Sequence, residues 1–263
     1  MSQNSIRIDR LFDRTSGRSF MVAIDRTVSV GPEPFAVDAG TLITSIVDGG
    51  ADAILMSPGL IRQEGHRAAF RGGPALVCRI DFPFMYGLTQ GEGEEFRLIS
   101  TVEEAVGLGA DAVVMFLTGG LRERRVWADN ITGVTTVARA ARRLGVPLIV
   151  EAVPWGEASP DHRDPVLVAE VSRIAAELGA DIVKTEYVGS VEAMEHVVRS
   201  CPVPVLVLGG PKVPLPELLE RTGASLDSGA RGVVFGRNAW QREDATEAMG
   251  ELRRLVHAPR SNG

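Results

Sequence analysis

The sequence holds two cysteines, Cys78 and Cys201, in 263 residues, which offer neither a disulfide framework nor a thiolate metal site. Its four histidines stand scattered at positions 66, 162, 196 and 257, so no metal and no metal-dependent cofactor is expected. His196 and His257 fall in helical stretches and read as solvent-facing. No apolar run approaches the roughly 18 residues of a membrane-spanning helix, and the segment from Met1 to Asp13 is too polar for a signal peptide. Basic residues do not cluster: the densest group, Arg122 to Arg125, is interrupted by Glu123 and reads as a solvated face. With a net charge of −6, nucleic acid and anionic membrane are poor partners. A reducing cytoplasm is the expected compartment.

Lysine is the most informative scarcity. Of 28 basic side chains two are lysines, Lys184 and Lys212, and the other 26 are arginines. Arginine keeps its proton near neutral pH and cannot form an imine, whereas a buried lysine can lose its proton and do so. Retention of lysine at two surface sites by chance is the competing explanation, and position has to decide between them.

What the chain does contain is a recurring phrase. Gly50-Ala-Asp-Ala-Ile-Leu-Met56, Gly109-Ala-Asp-Ala-Val-Val-Met115, Gly179-Ala-Asp-Ile-Val-Lys-Thr185 and Gly229-Ala-Arg-Gly-Val-Val-Phe235 each follow a helix-like stretch. The glycine suits the left-handed position that closes a helix, and the apolar run reads as a strand buried on both faces. Phe20–Ile24, Ala75–Ile80, Pro147–Ala152 and Pro204–Leu208 supply four more, making eight strands. Asp164 to Leu178 is the clearest helix, with Asp164 as N-cap, Pro165 at the first position and Val168, Val171, Ile174, Ala175 and Leu178 at helical spacing. Eight strands alternating with helices predict a single (β/α)8 TIM barrel over residues 1–263, in preference to an open doubly wound sheet. Phe82–Phe96 and Pro154–Arg163 are long Gly-, Pro- and acid-rich connections at the carboxyl ends of strands, where either can serve as a lid.

The barrel gives the lysines meaning. Lys184 ends the sixth strand, at the mouth where barrel enzymes do their chemistry. There desolvation favours the neutral amine, which can attack a ketone. Gly209-Gly210-Pro211-Lys212 follows the seventh strand and Gly236-Arg237 the eighth, the usual phosphate cradle of barrels. Glycine N–H groups approach an anion closely there, while Lys212 and Arg237 add charge. Asp25, Asp81 and Glu151 also stand at strand ends. Asp25 and Glu151 are candidates for proton transfer, and Asp81 reads better as a structural acceptor.

These segments carry a resemblance. Glu177-Leu-Gly-Ala-Asp-Ile-Val-Lys-Thr-Glu-Tyr187, Cys201-Pro-Val-Pro-Val205, Leu208-Gly-Gly-Pro-Lys212 and Phe235-Gly-Arg-Asn-Ala-Trp-Gln241 are similar to the archaeal-type class I fructose-bisphosphate aldolase family. That group includes the aminodideoxyheptulosonate synthases and the phospho-autoinducer-2 thiolase. The resemblance runs from Arg10-Leu-Phe12 onward and is most specific over residues 164–241. It implies Lys184 as the Schiff-base lysine, no metal, and a phosphorylated ketone such as dihydroxyacetone phosphate bound by the Gly209/Gly210 and Gly236/Arg237 loops. An aldehyde as second substrate and a homo-oligomer of five or ten barrels follow from the same likeness.

Two departures stand out. Family members usually read Asp-His-Gly after the first strand, where this chain reads Asp25-Arg26-Thr27. Where the family's aldolases carry Tyr-Pro-Arg-Gly after the fifth strand, with tyrosine as general acid/base, this chain reads Val153-Pro154-Trp155-Gly156. Valine cannot move protons. Glu151, two residues earlier and on the same face of the strand, is the leading substitute, with Asp25 and Tyr187 as alternatives. Trp155 in place of arginine implies an acceptor other than glyceraldehyde 3-phosphate. The leading reading is a class I aldolase or synthase acting through a Lys184 imine. The alternatives are a thiolase-like acyltransferase that cleaves a phosphorylated diketone with a thiol acceptor such as coenzyme A, and a non-catalytic phosphate-metabolite binding barrel.

Overall fold

The computed structural model describes residues 5–25, 38–83 and 94–259. In chain order its strands are β1 (Ser19–Ala23), β2 (Ala53–Met56), β3 (Ala75–Arg79), β4 (Asp81–Pro83), β5 (Phe96–Leu98), β6 (Ala112–Thr118), β7 (Leu148–Val153), β8 (Ile182–Thr185), β9 (Val205–Leu208) and β10 (Gly232–Phe235). Eight of them close into a parallel barrel in the order β1-β2-β3-β6-β7-β8-β9-β10, with β10 pairing back to β1. These are the eight strands expected, and helices fill the connections between them. The remaining two, β4 and β5, form an antiparallel hairpin with Asp81 opposite Leu98. The Phe82–Phe96 connection is therefore partly a β-hairpin and not a plain loop; residues 84–93 of it, and Arg26 and Thr27, lie outside the described residues.

Alternation along each strand splits the apolar residues into two layers. Met21, Leu55, Val77, Val114, Ile149 and Ile182, among others, fill the barrel interior together with Leu11. Phe20, Val22, Ile54, Met56, Met115 and Val150 belong to the larger core that also takes in the helices. Cover on both faces is why the strands read as unbroken apolar runs.

The repeated glycines do what their positions predicted. Gly50, Gly109, Gly179 and Gly229 have φ of 73°, 88°, 113° and 93°, values that a side chain rarely adopts. The aspartate two residues later has its own task. Asp52 accepts a hydrogen bond from the Phe20 N–H at 2.6 Å, Asp111 from Leu76 at 3.0 Å and Asp181 from Leu148 at 3.0 Å. Each stitches the start of one strand to its neighbour on the face away from the mouth.

Helix Pro165–Leu178 begins as read: the Asp164 side chain accepts from the Val166 and Leu167 N–H groups, and Pro165 opens the first turn. Ile174 is the exception in its stripe and is exposed. His257 also departs from expectation. It is packed at the barrel's N-terminal end, Nδ1 2.9 Å from Ser16 Oγ and Nε2 3.1 Å from Asp52 Oδ2, because the last helix folds back beneath β1. His196 is exposed. No helix among the described residues is long and apolar enough to cross a membrane.

Candidate active site

The inward-facing alternation that fills the barrel continues past its apolar layers into charged side chains. On β8 the inward series runs Ile182, Lys184 and then, just past the strand's end, Glu186; on β3 it runs Ala75, Val77, Arg79 and then Asp81; on β7 it runs Ile149, Glu151, Val153. The same parity that buries isoleucine one step down turns these groups into a cavity of about 220 Å³ at the carboxyl ends of the strands.

Lys184 is 6% exposed and pairs in register with Glu151 across the β7–β8 ladder. Its Nζ lies 2.7 Å from Glu151 Oε1. The other oxygen of Glu151 accepts from Arg79 Nη2. Arg79 is the centre of the group: Nε donates to Asp25 Oδ2 at 2.8 Å and Nη1 to Asp81 Oδ1 at 3.2 Å. Its guanidinium carbon stands 4.2 Å from the Phe116 ring centroid, a cation–π contact. One buried cation thus holds three carboxylates from three segments, and the site would carry a costly uncompensated charge without it.

These contacts set the ionisation of the acids. Burial works to raise the pKa of Glu151, but the Lys184 and Arg79 charges outweigh it and hold the group below the usual carboxylate range. Asp81 goes the other way: burial lifts it to about 6, against the pull of Arg79 and the hydrogen bond it accepts from the Phe116 N–H at 2.7 Å. Glu186 is also raised by burial, although the Trp155 indole N–H donates to its Oε1 at 2.9 Å and Arg163 lies 4.0 Å from Oε2.

Val153 is fully buried with Phe116 and Leu208, and Trp155 packs against them. The indole is 6.0 Å from the Phe116 ring, centroid to centroid, and forms part of the cavity wall. The Pro154–Arg163 loop that carries it is tied down. Gly156 N–H donates to Gly119 O and Ala158 N–H to Gly120 O, both at 2.9 Å. Glu94 accepts from the backbone N–H groups of both Arg122 and Glu157, linking the hairpin segment to the two neighbouring loops.

Gly209, Gly210, Gly236 and Arg237 line the cavity together. A Cβ on Gly236 would meet the Ala23 carbonyl oxygen at 3.2 Å, and Gly210 has φ of 60°. Asn238 shapes this wall: its Nδ2 donates to Gly209 O at 2.7 Å and Pro211 O at 2.9 Å, and its Oδ1 accepts from the Val213 N–H at 3.0 Å. Those bonds hold the backbone on both sides of Lys212, and the Lys212 side chain is exposed and does not line the cavity.

The structure therefore gathers Lys184, Glu151, Asp25, Gly209, Gly210, Gly236 and Arg237 around one cavity and leaves Lys212 outside. Tyr187 packs against the outer core layer and does not line the cavity. Among the described residues no group of three or more His, Cys, Asp or Glu is arranged to hold a metal. Sequence reasoning missed Arg79 and Glu186. Arg79 had a signal, as the lone charge in the run Ala75–Ile80 and two residues before Asp81. Glu186 had another, standing two residues beyond Lys184.

The comparisons with known proteins agree with this geometry. Residues 19–242 match the DeoC/LacD family aldolase model. A 2-amino-4,5-dihydroxy-6-oxo-7-(phosphonooxy)heptanoate synthase of Streptomyces griseus is 33% identical over 98% of this chain and 92% of its own. An uncharacterized aldolase of Saccharolobus solfataricus is 32% identical over 98% of this chain and 95% of its own. An archaeal fructose-1,6-bisphosphate aldolase, solved with its catalytic lysine covalently bound to the carbinolamine intermediate of the substrate, superposes with a TM-score of 0.87 at 28% identity, over 97% of this chain and 100% of that one. The chain belongs to the DeoC/LacD aldolase family and is a Schiff-base-forming carbon–carbon lyase.

Proposed function

We infer that Lys184 is the imine-forming residue and that the donor substrate is a ketone beside a phosphorylated carbon, of the dihydroxyacetone phosphate type. The observation that carries this is the Lys184 amine, buried at the inner end of the cavity and hydrogen-bonded to Glu151 at 2.7 Å. The substrate class is supported by chemistry that two relatives' names share: fructose 1,6-bisphosphate and a 6-oxo-7-phosphonooxy product each carry a ketone next to a phosphorylated carbon.

In the cleavage direction Glu151 takes a proton from the Lys184 ammonium, and the free amine attacks the ketone carbon to give a carbinolamine. The proton returned by Glu151 lets water leave, forming the iminium. A base removes the proton of the hydroxyl two carbons from the iminium carbon. The bond between the hydroxyl-bearing carbon and the carbon next to the iminium then breaks, its electrons pass into the iminium to make an enamine, and an aldehyde departs. Protonation of the enamine carbon and addition of one water release the ketone and restore Lys184. Asp25, tied to Glu151 through Arg79, holds that relay in place. Gly209, Gly210, Gly236 and Arg237 bind the phosphate.

The test is borohydride reduction in the presence of dihydroxyacetone phosphate, followed by peptide mass analysis. A reduced adduct on the Lys184 peptide is expected, absent in Lys184→Arg. Its absence from the wild-type protein with every phosphorylated ketone tried would sink the reading.

A second reading, acyl transfer from a phosphorylated diketone to a thiol, is favoured by one feature: Val153 brings no proton-transfer group to its position. Products formed with and without coenzyme A separate the two. By family likeness we further infer one barrel domain over residues 1–263, a cytoplasmic setting and a homo-oligomer of five or ten copies, the last checked by sedimentation velocity.

A further inference from the structure

We propose that Glu186 is the general base and acid of the carbon–carbon step, taking the hydroxyl proton as the bond breaks and delivering it to the enamine carbon. This rests on the imine reading above and assigns the proton carrier which that reading leaves unnamed.

Four carboxylates line the cavity, and Asp25, Asp81 and Glu151 are all paired with Arg79 while Glu186 is not. Glu151 is held by two cations, Lys184 and Arg79. A carboxylate so paired is a good local acceptor for the lysine's proton but a poor carrier to a substrate, because keeping a proton means breaking both ion pairs. Glu186 lies on the same inward face two residues from Lys184, is 7% exposed and lines the cavity. Its nearest polar partner is the neutral Trp155 indole N–H on Oε1, and its nearest cation, Arg163, is 4.0 Å from Oε2. Neither contact commits the carboxyl to the charged form as an ion pair at 2.7 Å would.

The direction of its ionisation agrees. Burial raises Glu186, while Trp155 and Arg163 lower it, Glu151 raises it and Lys184 lowers it. Those are the groups that face it, and the net shift is upward, towards the range in which a carboxyl both accepts and returns a proton near neutral pH. Two acids in one site with pKa values pushed apart mark a division of labour. It also gives the two departures at 153 and 155 a common explanation: the chain that lacks a tyrosine hydroxyl there uses a tryptophan to aim a glutamate instead.

The proton balance closes on one residue. Glu186 starts ionised, gains the hydroxyl proton on cleavage, and loses it to the enamine carbon before water releases the ketone. The second half of that cycle, run in reverse, exchanges a carbon-bound proton of dihydroxyacetone phosphate with solvent and needs no aldehyde.

The experiment therefore uses dihydroxyacetone phosphate alone. Wild type and Glu186→Gln are incubated with it in D2O, deuterium uptake is followed by NMR, and the Lys184 adduct is trapped with borohydride in parallel. Glu186→Gln is expected to form the adduct at the wild-type rate and to lose exchange by about 10²–10⁴-fold, with Glu186→Asp recovering part of it. Trp155→Phe removes the N–H donor and should move the acidic limb of the exchange rate to higher pH. Exchange in Glu186→Gln within about threefold of wild type, or a joint loss of adduct and exchange, would overturn the assignment. Failure of the wild-type protein to form an adduct would strike the imine reading first.

Discussion

Glu151 and Lys184 stand opposite one another in the β7–β8 ladder, and their side chains meet at 2.7 Å. Parallel pairing places the two Cα atoms at one height on one face, so the contact follows from backbone register and needs no loop to position it. A loop insertion elsewhere would leave it intact. This is the part of the site held most firmly by the fold.

If Glu151 carries the lysine's proton, Glu151→Gln should slow the appearance of the borohydride-trapped adduct by about 10²–10⁴-fold while the same end point is reached. Quenched-flow trapping followed by mass analysis reads both quantities. The profile differs from that expected of Glu186→Gln, where the adduct forms normally and proton exchange fails.

Removing Arg79 strands Asp25 and Asp81 and leaves Glu151 to Lys184 alone. Arg79→Met should cost about 3–5 kcal/mol of stability, the range for breaking a buried ion pair, as read from urea unfolding. Arg79→Lys keeps the charge but not the fork that reaches Asp25, Asp81 and Glu151 together, and should fall between the two.

Asp81 makes stability depend on pH in a defined direction. Its pKa is about 6 in the folded protein against an ordinary 3.8, so the native state holds the proton more tightly than the unfolded chain. The resulting contribution is complete below about pH 4 and is lost as pH rises through about 6. The difference in unfolding free energy between wild type and Asp81→Asn should accordingly decline by roughly 2–3 kcal/mol across that window. A flat difference in urea titrations at several pH values would count against it.

Asn238 and Lys212 make a paired test of the phosphate wall. Asn238→Ala releases the carbonyls of Gly209 and Pro211 and the N–H of Val213, and should weaken dihydroxyacetone phosphate binding about tenfold, the equivalent of about 1.4 kcal/mol. Lys212→Met should change it by no more than about twofold, because an exposed charge is screened. Isothermal titration with Lys184→Arg protein measures binding without turnover.

The barrel was readable because its signal is periodic: glycine-closed helices and doubly covered strands recur around the ring. Lys184 was readable because lysine is scarce and its strand end was countable. Arg79 was not singled out because two of its partners, Asp25 and Glu151, are 54 and 72 residues away, a relation that the folding of the barrel creates. The direction taken by the Lys212 side chain was not readable for a related reason. The glycine pair before it predicts a turn but not which way the next side chain leaves, and that is fixed by Asn238, a residue 26 positions on. Glu186 was not singled out because it stands just past the end of β8, where nothing in the sequence shows that the inward alternation continues. The hairpin of β4 and β5 was obscured by composition, because Gly, Pro and acidic residues there look like loop.

The threefold pairing of Arg79 also bears on how such a site changes over time. Asp25, Asp81 and Glu151 sit on separate segments yet share one guanidinium, so replacing one redistributes the load on the other two. Their substitutions should be strongly non-additive, and Arg79→Met should be rescued in part by Asp81→Asn, which removes a buried carboxylate left without its cation. A lineage that relocates its proton carrier from one strand to the next can more readily alter a residue outside this set than one within it. Glu186 is not one of the three carboxylates paired with Arg79, so a proton carrier placed there leaves the charged hub intact.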